Sequence, residues 1–315
     1  MFKADKFIDE QIEKVKQGVK GKAIIAASGG VDSTVCATLV SRAIGDRLLA
    51  VYVDTGFMRK GETDSVDKML RRLGVNHIVV DASDEYFTAL EGVTEPEKKR
   101  KIIGEKFIRV FEREAKKFGA ESLVQGTIAP DWIESGGGLR DTIKSHHNVG
   151  GLPKDMKLRL VEPLRDLYKD EVRKVARALK IEVAERQPFP GPGLAIRVLG
   201  EPTRASVAIV REACAIVEDE IEKAAAKGKF ELPWQYFAAL LPVKSVGVQG
   251  DVRAYGYTIV VRAVDSLDAM SANYSKIPHD VLEAISIRIT NEMKETVNRV
   301  VYDITNKPPG TVEWE

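Results

Sequence analysis

The 315-residue sequence is poor in the features that mark exported or membrane-bound proteins. It has only two cysteines, Cys36 and Cys214, and both lie within apolar helical patterns. Their spacing matches neither a disulfide framework nor a metal site, which indicates a reducing compartment. Residues 1–20 alternate charged and apolar residues and lack the apolar run of a signal peptide or membrane span. We therefore expect a cytoplasmic protein without a membrane partner.

The sequence also lacks an excess of charge of either sign. Lys and Arg total 48 against 47 Asp and Glu, so there is no overall positive field to hold RNA or DNA. Nucleic acid is therefore not an expected partner, although a local basic patch stays open. Hydrophobic residues make up 44% of the chain and charged residues 30%, which is typical of a globular protein with a sizeable core.

The length predicts two domains, because single cores rarely grow beyond roughly 250 to 300 residues. Arg186 to Gly193 holds three prolines and two glycines in eight residues, which favours a boundary there. Before it, strand and helix patterns alternate and predict a wound α/β domain, residues 1–185, with a parallel sheet. Its predicted strands cover 22–27, 48–53, 77–80, 122–125 and 158–161, and its predicted helices 5–18, 33–43, 63–73, 102–117 and 169–179.

Residues 186–315 group their helices and strands instead of alternating them, which favours a smaller α+β domain. The predicted helices cover 203–227 and 278–297, and the predicted strands 237–243, 257–264 and 300–304. In the first domain, residues 127–153 are rich in glycine and have few periodic apolar positions. A long irregular segment inside a compact domain is usually functional, so we interpret 127–153 as a lid.

A strand that ends in Ser28-Gly29-Gly30 and continues into a helix predicts an anion site. The helix N-terminus offers free amides and the positive end of its dipole, and serine hydroxyls add donors. Asp32 would repel bare phosphate, so its presence indicates Mg²⁺ shared between the carboxylate and a polyphosphate. The segment fits neither G-x-x-x-x-G-K-[ST] nor G-x-G-x-x-G. A Gly-Gly turn with a capping residue is the alternative interpretation.

The string SGGVDS at 28–33 resembles the signature of the N-type ATP pyrophosphatases, which release pyrophosphate and transfer AMP. Further segments resemble GMP synthase, in the same order along the chain. They are VDTGFMRK at 53–60, QGT at 125–127 with PDWIES at 130–135, IKSHHN at 143–148, RQPFPGPG at 186–193, GVQGD at 247–251 and KPPGTVEWE at 307–315. The resemblance implies a sheet of the adenine nucleotide alpha hydrolase-like kind and a C-terminal dimerisation domain.

The activity that this resemblance implies is a carbon–nitrogen ligase reaction of de novo purine biosynthesis. The C2 oxygen of xanthosine 5′-monophosphate (XMP) attacks the α-phosphate of ATP, pyrophosphate leaves with Mg²⁺, and ammonia displaces AMP to give GMP. The implied ATP and pyrophosphate contacts are Ser28, Gly29, Gly30, Val31, Asp32, Ser33, Thr34 and Val53, with Asp32 also the metal ligand. The implied XMP contacts are Arg59, Gln249, Lys307, Val312 and Glu313.

The lid carries the expected catalytic residues. Asp131 and Glu134 are three apart and can share one side of a helical turn. The resemblance implies that Lys144 stabilises charge on the α-phosphate, and that His146 or His147 relays a proton from ammonia. A solvated loop with incidental charges is the alternative for this segment.

A glutaminase that makes ammonia needs a nucleophilic cysteine on a sharp elbow, and neither Cys36 nor Cys214 has flanking glycines. We interpret both as core residues, so ammonia must come from a separate glutaminase subunit or from solution. The resemblance favours the split, two-polypeptide form, with a glutaminase subunit as a partner, and a homodimer. Thiolation of tRNA is a rival function, but it usually needs paired reactive cysteines or an added RNA-binding domain. A nucleotide sensor or RNA-binding protein is a second rival, and the balanced charge disfavours it.

Overall fold

A computed structural model describes residues 2–130, 158–182, 187–267 and 269–315, with the side chain of Gln249 left out. The chain divides into two compact units. The first comprises Met1–Thr55, Gly61–Ala82 and Gly104–Glu185, and the second comprises Gly56–Lys60, Ser83–Ile103 and Arg186–Glu315. Both this division and the predicted one break the chain between residues 185 and 186. They differ at 56–60 and 83–103, which are counted with the second unit because they pack within it.

The first unit is built on a parallel five-stranded sheet, as the alternating pattern predicted. Its strands are β1 (Ala23–Ala26), β2 (Leu48–Asp54), β3 (His77–Asp81), β4 (Ser122–Val124) and β5 (Arg159–Val161). The order across the sheet is β3-β2-β1-β4-β5, and every neighbouring pair is parallel. The order reverses between β1 and β4, so the carboxyl ends of these strands form the crevice where such sheets bind ligands.

Helices precede, connect and follow these strands, since parallel neighbours need crossover connections. They are α1 (Ala4–Gly18), α2 (Val31–Ile44), α3 (Glu62–Arg72), α4 (Ser83–Ala89), α5 (Pro96–Phe118) and α6 (Lys169–Ala178). Helix α2 contacts both α1 and β2, and Val35, Leu39 and Val40 are fully buried. The predicted helix at 102–117 starts too late, because Glu95 caps the amides of Glu97 and Lys98 and Pro96 begins the helix.

The second unit has a mixed four-stranded sheet. Its C-terminal part contains α7 (Arg204–Ala226), β6 (Gln235–Gln249), β7 (Val252–Asp265), β8 (Asn273–Tyr274), α8 (His279–Glu292) and β9 (Val297–Tyr302). Strands β6 and β8 flank β7 in antiparallel pairs, and β9 pairs with β7 in parallel. The predicted helix at 278–297 is too long, because α8 ends at Glu292, residues 293–296 form a turn and Val297 begins β9. The grouped α+β arrangement is as predicted.

Both cysteines are buried, which confirms their interpretation as core residues. Burial raises the pKa of the Cys36 thiol, and the nearby Asp32 carboxylate raises it further. Burial also raises the pKa of Cys214, although the guanidinium of Arg197 opposes this. Neither thiol has the lowered pKa of a nucleophile. In the described ranges, no helix is long and apolar enough to cross a membrane.

Candidate active site

The segment from Ser28 to Ser33, which we call the phosphate loop, connects β1 to α2 at the switch point of the first sheet. Gly29 has φ +76°, and a β carbon built there would lie 2.7 Å from Cγ2 of Val66. Glycine is therefore required both by the backbone conformation and by the space. Gly30 has extended dihedrals and immediately precedes α2, and no side chain caps the first amides of this helix through a hydrogen bond from the N-cap residue.

The loop offers several hydrogen-bond donors at one place. Ser28 Oγ and Ser33 Oγ lie 2.9 Å apart, and Ser33 Oγ also donates to Gly30 O at 3.1 Å. The first amides of an α-helix have no intrahelical acceptor and carry the positive end of the dipole. Ser28 and Gly30 are exposed, so a ligand can reach these groups. Such a site suits the oxygens of a phosphate chain.

Asp32 has one carboxylate oxygen committed and one uncommitted. Its Oδ2 forms an ion pair with Lys169 Nζ, whereas its Oδ1 is buried without a hydrogen-bond partner among the described residues. A buried, unsatisfied carboxylate oxygen is costly and calls for a ligand. Mg²⁺ fits, because it is typically held by one or two carboxylates together with substrate phosphates. In the described part of the chain, no group of three or more His, Cys, Asp or Glu residues could form an all-protein metal site.

The segment that follows β4 closes the other side of the crevice. A β carbon at Gly126 would lie 3.3 Å from the carbonyl of Asp32 and from Ser33 N, so this backbone passes directly against the phosphate loop. Next to it, Thr127 Oγ1 is buried and has no hydrogen-bond partner within the ranges that the structure describes. Two uncommitted oxygen atoms, from Asp32 and Thr127, thus lie in the segments that follow the adjacent strands β1 and β4.

Lys169 was not among the residues predicted from sequence. It is the first residue of α6, lies 137 residues from Asp32, and is brought to the phosphate loop by the path of β5 and α6. Its side chain is 51% exposed. An exposed ammonium group beside an anion site can contact phosphate oxygens. No local pattern marks it, since its partner Asp32 is distant along the chain.

Two predicted ATP contacts are placed in different surroundings. Thr34 is buried, and its hydroxyl donates to Gly30 O at 2.8 Å, so it supports the loop from within α2. Val53 is a buried residue of β2, in register with Val80 of β3. At the end of the same strand, Asp54 Oδ2 accepts a hydrogen bond from Thr63 Oγ1 at 2.6 Å.

The predicted XMP contacts belong to the second unit. Arg59 is only 8% exposed, and its guanidinium donates to Gln187 O at 3.1 Å and Pro188 O at 3.3 Å. Its charged group also lies 4.3 Å from the ring centroid of Phe189. Arg59 therefore organises the segment 187–189, and its forked contact with a nucleotide stays a prediction.

The remaining predicted XMP contacts of described structure lie in residues 303–315, which we call the tail. Lys307 Nζ donates to Ala269 O at 2.7 Å, and Val312 O accepts from Arg262 Nε at 2.8 Å. Glu313 forms a forked ion pair with the fully buried Arg197, with N···O distances of 3.0 and 2.9 Å. Burial alone would lower the pKa of Arg197, but the Glu313 carboxylate holds it above its ordinary value.

Gln235, at the start of β6, was likewise not predicted from sequence. Its Nε2 donates to Glu313 Oε1 at 2.7 Å, so it borders the carboxylate that the resemblance assigned to the purine. The resemblance implied Gln249 instead, whose side chain lies outside the described structure. The five catalytic residues predicted in the lid also lie outside the described residues: Asp131, Glu134, Lys144, His146 and His147.

Two family models match the chain. The model of queuosine biosynthesis protein QueC matches residues 22–187, and the model of the GMP synthase C terminal domain matches residues 219–314. A solved NMN synthetase from Francisella tularensis aligns with a TM-score of 0.49 at 12% identity, over 66% of this chain and 85% of its own.

Two relatives of similar length are named as a subunit of GMP synthase (glutamine-hydrolyzing). That subunit from Thermococcus kodakarensis is 60% identical over 99% of both chains, and that from Thermoplasma acidophilum is 58% identical over 98% of both. GMP synthase (glutamine-hydrolyzing) of Geobacillus kaustophilus is 56% identical over 99% of this chain but only 61% of its own length. The resemblance seen in the motifs is thereby confirmed, and the chain belongs to this subunit family of GMP synthase (glutamine-hydrolyzing).

Proposed function

We propose that this protein is the synthetase subunit of a glutamine-hydrolysing GMP synthase, which uses ATP to aminate XMP to GMP. The observation that carries the proposal is the phosphate loop at the switch point of the sheet, with Asp32 Oδ1 buried and uncommitted beside it. Membership of the GMP synthase subunit family supports XMP as the acceptor. The products are GMP, AMP and pyrophosphate.

ATP binds with its β- and γ-phosphates at the phosphate loop. The amides at the start of α2 and the hydroxyls of Ser28 and Ser33 donate to phosphate oxygens, and Lys169 adds a positive charge. Asp32 would hold Mg²⁺ through its uncommitted Oδ1, and the ion would supply positive charge to neutralise the pyrophosphate. The main chain at Val53 pairs with the adenine.

The reaction has two displacements. The C2 oxygen of XMP attacks the α-phosphorus of ATP, the bond to the β-phosphate oxygen breaks, and pyrophosphate leaves. Ammonia then adds at C2, the C2–oxygen bond breaks, and AMP leaves with the former XMP oxygen. Adenylylation is needed because a carbonyl-type oxygen is a poor leaving group, whereas AMP is a good one.

The lid supplies the groups for these steps. Lys144 stabilises negative charge at the α-phosphate, and His146 or His147 accepts the proton that ammonia loses. Asp131 and Glu134 orient these side chains. These five assignments rest on the motif resemblance in residues 130–148.

XMP is recognised by the tail of the second unit. Lys307 contacts the 5′-phosphate and Glu313 the purine edge, with Val312, Arg59 and Gln249 as further contacts from the resemblance. Gln235 joins this set because its amide already contacts Glu313. The buried Arg197 fixes the plane of the Glu313 carboxylate through two hydrogen bonds.

Ammonia reaches this subunit from a separate glutaminase in the cytoplasm. The relatives are named both as glutamine-hydrolyzing and as one subunit of the enzyme, which supports a second polypeptide. The longer relative from Geobacillus kaustophilus also supports a second polypeptide. This chain matches only 61% of it, so the rest of that protein has no counterpart in this chain. We also propose a homodimer formed by the second unit, on the resemblance to the family's dimerisation domain.

The experiment uses the purified chain with ATP, MgCl₂, ammonium chloride and XMP labelled with ¹⁸O at C2. We expect GMP, AMP and pyrophosphate in equal amounts, with the ¹⁸O recovered in the phosphate of AMP. The Asp32→Asn variant is the control for the site and should lose pyrophosphate release by about 100-fold or more, since a charged ligand of the phosphate site is removed. Formation of ADP, or AMP without the label, would refute the proposal.

A further inference from the structure

The second unit buries three basic side chains almost completely, and all three point their charge at the tail. Lys99 and Arg197 are 0% exposed and Arg262 is 1% exposed. Burying a cation is strongly unfavourable unless it is paired and hydrogen-bonded. Arg197 reaches Glu313, as described above. Arg262 and Lys99 contact other parts of the tail, and the proposed function gives neither of them a role.

Arg262 lies on β7 and donates four hydrogen bonds to residues at both ends of the tail's loop. Its Nη1 contacts Asp303 Oδ2 at 2.8 Å and Thr305 O at 3.0 Å, where the chain leaves β9. Its Nη2 contacts Thr311 O at 2.7 Å and its Nε contacts Val312 O at 2.8 Å, where the chain returns. One guanidinium therefore ties together the two ends of the loop 305–311, which contains Lys307.

The loop closed by Arg262 is also fixed to the strand connection beside it. Lys307 exchanges both main-chain hydrogen bonds with Ala272, at 2.8 and 3.0 Å. The Asn306 side chain accepts from Tyr274 N at 2.9 Å. These contacts hold the main chain at 306–307, so the direction in which Lys307 leaves the loop is set by the fold.

Lys99 anchors the other end of the tail. Its Nζ forms an ion pair with Glu315 and donates to Val198 O at 2.8 Å and to Ala195 O at 3.4 Å. Glu315 Oε1 also accepts from Gly200 N at 3.2 Å. Burial lowers the pKa of Lys99 and raises that of Glu315, so the two groups depend on each other for their charge. The only buried lysine among the described residues is thus committed to the tail.

We infer that Arg262 and Lys99 are positioning residues that hold the tail in its XMP-binding conformation before the substrate arrives. Of the proposed contacts to XMP, Lys307 lies in the loop that Arg262 closes, and Glu313 lies between that loop and the residue that Lys99 holds. The inference rests on the proposed function for the identity of the ligand. A segment that is ordered in advance does not lose conformational freedom on binding, which favours tighter binding of XMP.

The test compares Arg262→Met and Lys99→Met with a matched control, Arg288→Met. Arg288 forms ion pairs with Asp219, Glu220 and Glu292 in the same unit but does not contact the tail in the described structure. Two quantities are measured: amide hydrogen exchange of the peptide that covers 303–315, without substrate, and the KM values for XMP and for ATP. Arg262→Lys is included because it keeps the charge next to Asp303 but cannot bind both ends of the loop.

We expect Arg262→Met and Lys99→Met to speed exchange in the tail and to raise the KM for XMP by about tenfold or more, with the KM for ATP unchanged. Arg288→Met should change neither the tail exchange nor either KM, and Arg262→Lys should fall between wild type and Arg262→Met. If Arg262→Met does not fold, Lys99→Met and Arg262→Lys carry the test.

Faster tail exchange with an unchanged KM for XMP would overturn the inference, as would unchanged exchange in both anchor variants. An equal rise in both KM values would also overturn it, since that pattern indicates general loss of structure. Failure of the proposed function gives a different result, because the wild-type chain would then form no GMP from XMP. The exchange measurement needs no substrate and still shows whether the anchors order the tail.

Discussion

Lys169 and Asp32, which are 137 residues apart in the sequence, form an ion pair at the phosphate loop. The pair leaves the second oxygen of Asp32 buried and uncommitted, while the Lys169 side chain is half exposed. A carboxylate and an ammonium group beside helix amides provide both a cation ligand and a phosphate ligand. The pair therefore indicates how the proposed MgATP site keeps its two charged groups in place.

Replacing Lys169 by methionine should raise the KM for ATP by about tenfold or more, because a charge-assisted contact to phosphate is lost. Steady-state kinetics of pyrophosphate release measures this. Lys174→Met is the control, since Lys174 forms an exposed pair with Asp170 on the same helix. Equal KM values for ATP in the two variants would exclude a role for Lys169 in binding phosphate.

Adding one methyl group at Gly126 should weaken ATP binding without unfolding the protein. A β carbon there would lie 3.3 Å from three backbone atoms of Asp32 and Ser33, so the phosphate loop would have to move by a few tenths of an ångström. We expect Gly126→Ala to raise the KM for ATP by about tenfold, since small misplacements of binding groups have large effects.

Gly104→Ala is the matched control for Gly126→Ala. Gly104 lies inside α5, and a β carbon there would meet nothing within 4 Å. Its replacement should leave the kinetics unchanged and stabilise the protein by about 0.5–1 kcal/mol, the usual gain of alanine over glycine in a helix. Loss of ATP binding in both variants would contradict a specific effect of the Gly126 β carbon on the phosphate loop.

Replacing Glu313 by glutamine should lower both stability and affinity for XMP. The change leaves the guanidinium of Arg197, which is fully buried, without its carboxylate partner. Breaking such a pair costs about 3 kcal/mol in the free energy of unfolding. Urea unfolding measures the loss, and calorimetric titration with XMP measures the affinity. A stable variant with normal XMP affinity would contradict both roles.

The first unit should lose stability in acid in part through Asp67. Hydrogen bonds from His77 and Arg71 lower the pKa of Asp67 below its ordinary value of 3.8. A lowered carboxyl pKa contributes stability that is present above about pH 4 and is lost as pH falls through the folded-state value. The thermal unfolding temperature should therefore fall more steeply between pH 6 and pH 2 in wild type than in Asp67→Asn. Parallel curves would contradict this assignment.

The five strands of the first sheet could be located from sequence because they are short apolar runs between turn signals. Predicted strands at 48–53 and 77–80 differ from β2 and β3 by one residue at one end. The start of α5 was missed because residues 96–101 are mostly charged and have no apolar period. Residues 244–249 of β6 and 252–256 of β7 were also missed, since Val246, Val248 and Tyr255 are exposed there and do not belong to the hydrophobic core.

The phosphate loop could be predicted because its residues are contiguous and the chemistry lies in the main chain. Lys169, Gln235 and the anchors Arg262 and Lys99 could not, since each acts on a residue that is distant along the chain. A buried cation also has no sequence signature, because Lys and Arg are usually exposed and their partners here are often carbonyl groups. Sequence patterns indicate the buried faces of helices and strands and the positions of turns, whereas these contacts depend on the tertiary structure.

The burial of the two cysteines gives the chain an internal reporter for each unit. Cys36 belongs to the first unit and Cys214 to the second, and the chain has no other thiol. A thiol that is closed off from solvent reacts with an alkylating reagent only when its surroundings open. Labelling rates at the two positions therefore read the local opening of each unit separately. MgATP should slow labelling at Cys36, and XMP should slow it at Cys214, because a bound ligand stabilises the folded state that it recognises.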